Sequence, residues 1–109
     1  MATTAEYVDF VCERIDGMGA VRRQKMFGEY MVYLNGKPIF LVCDNTVFVK
    51  IIPELSEVMA DAQRGLPYPG GKEHYILDIE NAETTQKAAS ILEAATPLPN
   101  PRKKKGALK

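Results

Sequence analysis

The fold is decided by one stretch of the chain, residues 29–50, which reads EYMVYLNGKPIFLVCDNTVFVK. It is rich in Tyr, Val, Ile and Phe, as strands are, and it is interrupted by Asn35-Gly36 and Asp44-Asn45. A type I′ turn needs positive φ at both central residues, and Asn-Gly tolerates this. The stretch therefore predicts three antiparallel strands joined by two tight turns, at 29–35, 37–43 and 46–52.

Two-residue turns fix how these strands pair. Val32 then faces Ile39, and Leu41 faces Phe48. Because side chains alternate between the faces of a sheet, Ile39 and Phe40 are predicted on opposite faces. Both faces are apolar, whereas an antiparallel sheet normally has one polar face. We expect helices to cover one face, and a second copy of the chain or the bent continuation of the sheet to cover the other.

The flanking sequence predicts helices and further strands around this meander. Thr3 and Glu6 have capping-box spacing before an amphipathic segment, and Asn81 can cap a last helix. The remaining elements are a first helix over 4–16, a strand over 21–27, a second helix over 53–63 and a fifth strand over 74–79. The predicted class is α+β: an antiparallel sheet of a four-strand meander plus a fifth strand, with helices packed on it, in the order α-β-β-β-β-α-β-α.

Composition indicates one domain. The 109 residues are 46% hydrophobic and 26% charged, with 14 basic and 14 acidic side chains. We expect a single domain over 1–96 and a flexible, Pro-spaced basic tail over 97–109. The tail has five basic residues and no acid, so it either binds phosphates loosely or is a solvated end. No apolar run reaches the ~20 residues that span a bilayer, so we expect a cytoplasmic protein with no membrane partner.

Candidates for catalysis are few. His74 is the one histidine, and alternation directs it towards solvent. Cys12 and Cys43 form no CxxC pair and have no histidine at metal-ligand spacing, so both are interpreted as structural thiols. No phosphate-binding, dinucleotide-binding or hydrolase motif is present. We therefore predict no enzyme activity, no cofactor and no metal.

Basic residues offer two alternatives. In the computed pairing, Lys37 and Lys50 are diagonal neighbours on one face, roughly 7–8 Å apart, and either converge on an anion or extend separately into water. Arg22, Arg23 and Lys25 form a basic cluster on the first strand, which serves either binding or protection of the sheet edge against aggregation.

The run from Lys25 to Lys37, KMFGEYMVYLNGK, continued by Val47-Phe-Val-Lys50, resembles the N-terminal domain of the TfoX/Sxy family of competence regulators. The positions that carry the likeness are Met26, Phe27, Gly28, Tyr30, Tyr33, Gly36, Lys37 and Lys50. The resemblance implies a small α+β domain without known catalytic residues, associated in two-domain members with regulating genes for DNA uptake. Glu29 departs from the family pattern, in which a small residue is frequent at this place.

These observations predict a non-enzymatic interaction module that acts in transcriptional regulation, forms a homodimer and contacts a regulatory protein partner. The alternative is weak nucleic-acid or anion binding. The residues proposed for that contact are Arg22, Arg23, Lys25, Lys37, Lys50, Arg102, Lys103, Lys104 and Lys105.

Overall fold

The computed structural model describes residues 3–26 and 29–97, which form an antiparallel sheet of six strands with two α-helices packed against it. In chain order the elements are α1 (Ala5–Arg14), β1 (Val21–Met26), β2 (Glu29–Leu34), β3 (Lys37–Cys43), β4 (Thr46–Lys50), a 3₁₀ turn (Pro53–Leu55), β5 (Arg64–Gly65), β6 (His74–Leu77) and α2 (Ala82–Ala95). The strand order across the sheet is β1-β2-β3-β4-β6-β5. The predicted α+β class is therefore confirmed.

The two predicted turns are confirmed by their backbone angles. Asn35 and Gly36 have φ of 54° and 82°, and Asp44 and Asn45 have φ of 51° and 52°. All four angles lie in the left-handed region that a type I′ turn requires at its central residues. The β2–β3 and β3–β4 hairpins therefore reverse where the sequence indicates.

The predicted pairing of β2 with β3 is wrong beyond the turn. Tyr33 pairs with Pro38, as the two-residue turn predicts. Val32, however, pairs with Phe40 instead of Ile39, because a β-bulge adds one residue to β3. Ile39 and Phe40 are 4% and 0% exposed and belong to the same hydrophobic core. The prediction that they lie on opposite faces is therefore also wrong.

Helix boundaries follow local capping chemistry. Thr4, one residue after the predicted position, caps α1, because its Oγ1 accepts from the Tyr7 N–H at 3.2 Å. Asn81 caps α2 as predicted, with its Oδ1 accepting from the Thr84 N–H at 3.0 Å.

The predicted helix over 53–63 is a 3₁₀ turn followed by further turns. Ile52 precedes it without a side-chain capping bond, and most backbone bonds in the segment join residues three apart. Leu55 and Met59 still anchor it in the core, at 0% and 3% exposure. The short strand β5 was not predicted.

One face of the sheet forms the core. Val32, Phe40, Val42, Val47 and Val49 are buried there. They pack with residues from the two helices and from the segment after β4, namely Val8, Val11, Ile15, Leu55, Met59, Ala88, Ala89 and Leu92. The helices therefore cover one face of the sheet, although the sequence analysis placed Val32 on the other face from Phe40 and Val42.

The opposite face, here called the outer face, is covered in part by the chain itself. Gly65 of β5 lies so close to Ile76 and Phe48 that an added Cβ would be 3.2 Å and 3.7 Å from their side chains. The loop after β5 places Tyr68 beside Leu41 and Cys43. Residues of β5 and of the loop after it therefore lie close to part of the outer face.

Candidate interaction surface

The outer face has a partly exposed apolar area around Leu41. Leu41 is central to it, with Met26 and Tyr68 on one side and Met31 on the other. We call these four residues the outer patch. Met26, Tyr68 and Leu41, with Glu29 and Cys43, line an open cavity of about 520 Å³. Tyr68 is 56% exposed, so the patch combines half-buried side chains with an accessible aromatic ring.

Glu29 at the border of the outer patch connects three parts of the chain. Its Oε1 accepts from the Thr3 hydroxyl at 2.7 Å and from the Asp44 N–H at 3.0 Å. The Thr3 Oγ1 in turn accepts from the Asn45 N–H at 3.3 Å. The carboxylate therefore holds the residues before α1 on the β3–β4 turn, a structural role that the sequence did not indicate.

The edge strand β1 carries the predicted basic cluster. All four residues from Arg22 to Lys25 are exposed. The Arg22 guanidinium lies 4.0 Å from the centre of the Tyr33 ring, which is a cation–π contact. Arg23 forms an ion pair with Asp9 of α1. We call Arg22, Arg23 and Lys25 together the basic edge.

The structure holds Lys37 and Lys50 in different surroundings. The Lys37 ammonium donates to the Glu93 carbonyl at 2.8 Å and lies 3.6 Å from the Glu93 carboxylate. It therefore supplies a positive charge at the last turn of α2, which has no basic residue of its own. Lys50 is exposed and pairs across the sheet with His74. The small cavity lined by Lys50 and His74 does not include Lys37.

The potential nucleophiles have environments that disfavour reactivity. Burial raises the pKa of the Cys43 thiol to about 11, with Glu29 and Asp44 adding to the shift. Burial also raises the pKa of Cys12. A thiol must lose its proton to act as a nucleophile or metal ligand. Both thiols therefore stay protonated at neutral pH.

His74 is engaged by the backbone. Its Nδ1 donates to the Lys72 carbonyl oxygen at 2.8 Å, and its ring stands edge-on to Phe48 with the centroids 6.4 Å apart. Among residues 3–26 and 29–97, no group of three or more His, Cys, Asp or Glu side chains is placed to hold a metal ion. No helix in these two ranges is long and apolar enough to cross a membrane.

The motif residues of the sequence analysis have mostly architectural positions. Tyr30 packs against the core, Tyr33 lies under Arg22, and Gly36 forms the turn. Met26 lines the outer patch. Phe27, Gly28 and the tail residues Arg102, Lys103, Lys104 and Lys105 lie outside the described residues.

The arrangement defines an α+β domain whose accessible features are an apolar sheet face and a basic sheet edge. The family model of the TfoX N-terminal domain matches residues 13–96, and the chain belongs to this family. It is also 36% identical over 107 residues to an uncharacterized 12.7 kDa protein in trpE 5′region of Spirochaeta aurantia. That match covers 96% of this chain and 93% of the relative.

Proposed function

We propose that this chain is a non-enzymatic interaction module that acts in transcriptional regulation through protein contacts, with genes for DNA uptake as its targets. Membership of the TfoX N-terminal domain family supports the regulatory part of the proposal. The observation that carries the interaction part is the outer patch, an accessible apolar area on a sheet face. Such areas on small domains are typical of binding surfaces.

The chemistry of the described residues also favours binding over catalysis. Cys43 has a raised pKa and 2% exposure, and Cys12 has a raised pKa as well. The only histidine uses Nδ1 to bond the chain two residues before it. Catalysis by any of these groups would need a deprotonated thiol or a base aimed into a pocket.

We further propose that the outer patch joins two copies of the chain in a homodimer. A two-fold interface uses the same patch on both subunits, so the patch must be compatible with itself. Its four members are uncharged, and the nearby Glu29 carboxylate is already occupied by Thr3 and Asp44. Two such patches can meet without placing like charges together.

Light scattering after gel filtration, from 1 to 200 µM protein, tests the homodimer. Tyr68→Ser removes an aromatic ring that is 56% exposed on the patch. The matched control is Ile51→Ser, which removes a side chain that is 38% exposed and outside the patch. We expect the wild type and the control to dimerise and Tyr68→Ser to remain monomeric. A monomeric wild type at 200 µM would contradict the proposal.

The second candidate function is weak nucleic-acid binding, which the exposure of Arg22 and Lys25 on one strand supports. Two observations count against a continuous row of free basic side chains for phosphate binding. Lys37 is held by Glu93, and Arg23 is held by Asp9. Affinity for single-stranded DNA carried by phosphate contacts falls steeply as salt rises, and deletion of 102–109 would flatten that slope. Salt-independent binding, or none at 50 mM salt, would eliminate this function.

A further inference from the structure

The edge strand β1 has hydrogen-bonding capacity on the side that faces away from β2. It is the terminal strand of the sheet, and within the described ranges its one strand partner is β2. Edge strands with an open row of N–H and C=O groups are templates for another strand.

The β1–β2 pairing identifies these groups. Asn35 donates its N–H to the Ala20 carbonyl at 2.7 Å, so the pair Ala20–Asn35 is hydrogen-bonded. Hydrogen-bonded and non-hydrogen-bonded pairs alternate along an antiparallel ladder. Continued through β1, the alternation directs the backbone N–H and C=O of Val21, Arg23 and Lys25 away from β2. The edge therefore offers three donors and three acceptors in alternation, repeating about every 6.8 Å.

The charge of the edge selects the occupant. β1 contains Arg22, Arg23 and Lys25 and no acidic residue. Arg22 lies on the Tyr33 ring, so its guanidinium is already ordered, whereas the charge of Arg23 is already paired with Asp9. Ordering before binding reduces the entropy lost on association. Arg22 and Gln24 lie on the outer face of β1, and Arg23 and Lys25 lie on the other face. Acidic side chains at alternate positions of an added strand would therefore lie opposite Arg22 and Gln24, where Arg22 supplies the positive charge.

A second copy of β1 is a poor occupant. In an antiparallel pair with a two-fold axis at Arg23, each Arg23 would face the other, and each Arg22 would face Gln24 of the copy. Like charges directly opposite destabilise a strand pair. DNA is also a poor match, because its phosphates provide acceptors for the outward N–H groups but no donors for the outward carbonyls.

From these observations we propose that β1 binds an acidic, extended segment of a partner protein as a seventh strand of the sheet. The inference rests on the proposed role as an interaction module, and it gives that role a partner chemistry at a surface different from the outer patch. The segment contributes backbone groups to Val21, Arg23 and Lys25 and acidic side chains at alternate positions.

The probe is a fluorescein-labelled eight-residue peptide of alternating Glu and Val, titrated into the full chain at 50 mM salt. Three control probes separate the sources of affinity. One replaces Glu with Lys, one carries N-methyl groups on alternate residues along one edge, and one is a twelve-nucleotide single-stranded DNA. We expect binding of the Glu peptide, no binding of the Lys peptide and at least tenfold weaker binding of the N-methyl peptide. Equal affinity for the N-methyl peptide, or tighter binding of the DNA, would overturn the proposal.

Two variants at one position separate charge from backbone bonding. Lys25→Gln removes the charge alone, whereas Lys25→Pro also removes the outward N–H without touching a bond to β2. We expect Lys25→Pro to bind the peptide about fivefold more weakly than Lys25→Gln, with circular dichroism confirming that both are folded. Equal affinity of the two variants would show that the contact is electrostatic only, and would refute strand addition.

Amide hydrogen exchange gives a readout that is independent of these variants. Saturating peptide should slow exchange at Val21, Arg23 and Lys25, while Arg22 and Gln24, already bonded to β2, should change little. Slowing at the same three amides with rising protein concentration and no peptide would assign the edge to a second copy instead and overturn the proposal. Light scattering of Tyr68→Ser tests the outer patch separately, so a failed dimer and a failed strand addition are distinguishable.

Discussion

The bulge at Ile39 makes a quantitative prediction about two adjacent residues. With the bulge, Phe40 is 0% exposed in the core, and Leu41 is half-buried on the outer face. Phe40→Ala removes a fully buried ring and should lower the free energy of unfolding by about 3–5 kcal/mol. Leu41→Ala removes a side chain that is already in contact with water, and should cost about 1 kcal/mol.

Urea unfolding followed by circular dichroism measures both variants. With a slope of about 1.5 kcal/mol/M for a domain of this size, Phe40→Ala should move the midpoint down by about 2–3 M. Leu41→Ala should move it by less than about 1 M. The protein is kept near 1 µM so that self-association does not protect Leu41. If Phe40→Ala is too unstable to purify, Phe40→Leu gives the same comparison with a smaller loss.

An unbulged pairing predicts the reverse ranking. Val32 would then face Ile39, Leu41 would share the core face with them, and Phe40 would lie on the outer face. A larger midpoint shift for Leu41→Ala than for Phe40→Ala would therefore refute both the bulge and the assignment of the outer patch.

Three further predictions concern the turn, the thiol and the end of α2. Asn35→Ala should lower the free energy of unfolding, measured by thermal unfolding, by about 1–2 kcal/mol. The reasons are that Asn35 has a φ of 54° and that its Oδ1 accepts from the Ala20 N–H at 2.9 Å. Asn35→Gly should lower it less, because glycine tolerates this φ. Folding raises the pKa of Cys43 from 9.0 to about 11, so the native state binds more protons between these values and stability should fall as pH rises through that range. Urea unfolding at pH 8 and pH 10.5 measures this, and a decline of equal size in Cys43→Ala would contradict it. Lys37→Met should lower stability by about 0.5–1.5 kcal/mol through the lost bond to the Glu93 carbonyl, and an unchanged urea midpoint would show that this contact contributes nothing.

Local signals predicted those parts of the fold that local chemistry determines. Asn35-Gly36 and Asp44-Asn45 fix both turns because few residues adopt positive φ cheaply. The cap at Asn81 is likewise a property of one side chain and the next few N–H groups. Each of these features can be recognised without knowledge of the rest of the chain.

Features that depend on distant contacts were not predictable. Residues 38–43 are apolar throughout, so no alternation marks the place where Ile39 adds a residue to β3. The segment 53–63 has helical spacing of apolar residues, yet it forms a series of turns. Leu55 and Met59 are buried in the core without a helix. The two-residue strand β5 carries no pattern of its own.

The candidate surfaces were predicted in part. The sequence predicted apolar residues on both faces of the sheet, but the contribution of Tyr68 depends on where a Pro- and Gly-rich loop comes to lie. The basic cluster on β1 was recognised, with protection of a sheet edge as one of its two possible roles, and the strand order places β1 at that edge. Neither alternative considered for Lys37 included its contact with Glu93, because Glu93 lies 56 residues further along the chain.

The outer patch and the basic edge meet at Met26, which belongs to β1 and lines the patch. An added strand would lie about 4.8 Å beyond β1, and its residues opposite Arg22 and Gln24 would extend the outer face. Acidic side chains at those positions would bring like charges together when two patches meet, so the peptide and the second copy should oppose each other. Such coupling is reciprocal: the factor by which the peptide weakens dimerisation must equal the factor by which dimerisation weakens peptide binding. Gel filtration with and without peptide, compared with peptide titrations at 1 and 200 µM protein, tests this equality, and independent binding would separate the two surfaces.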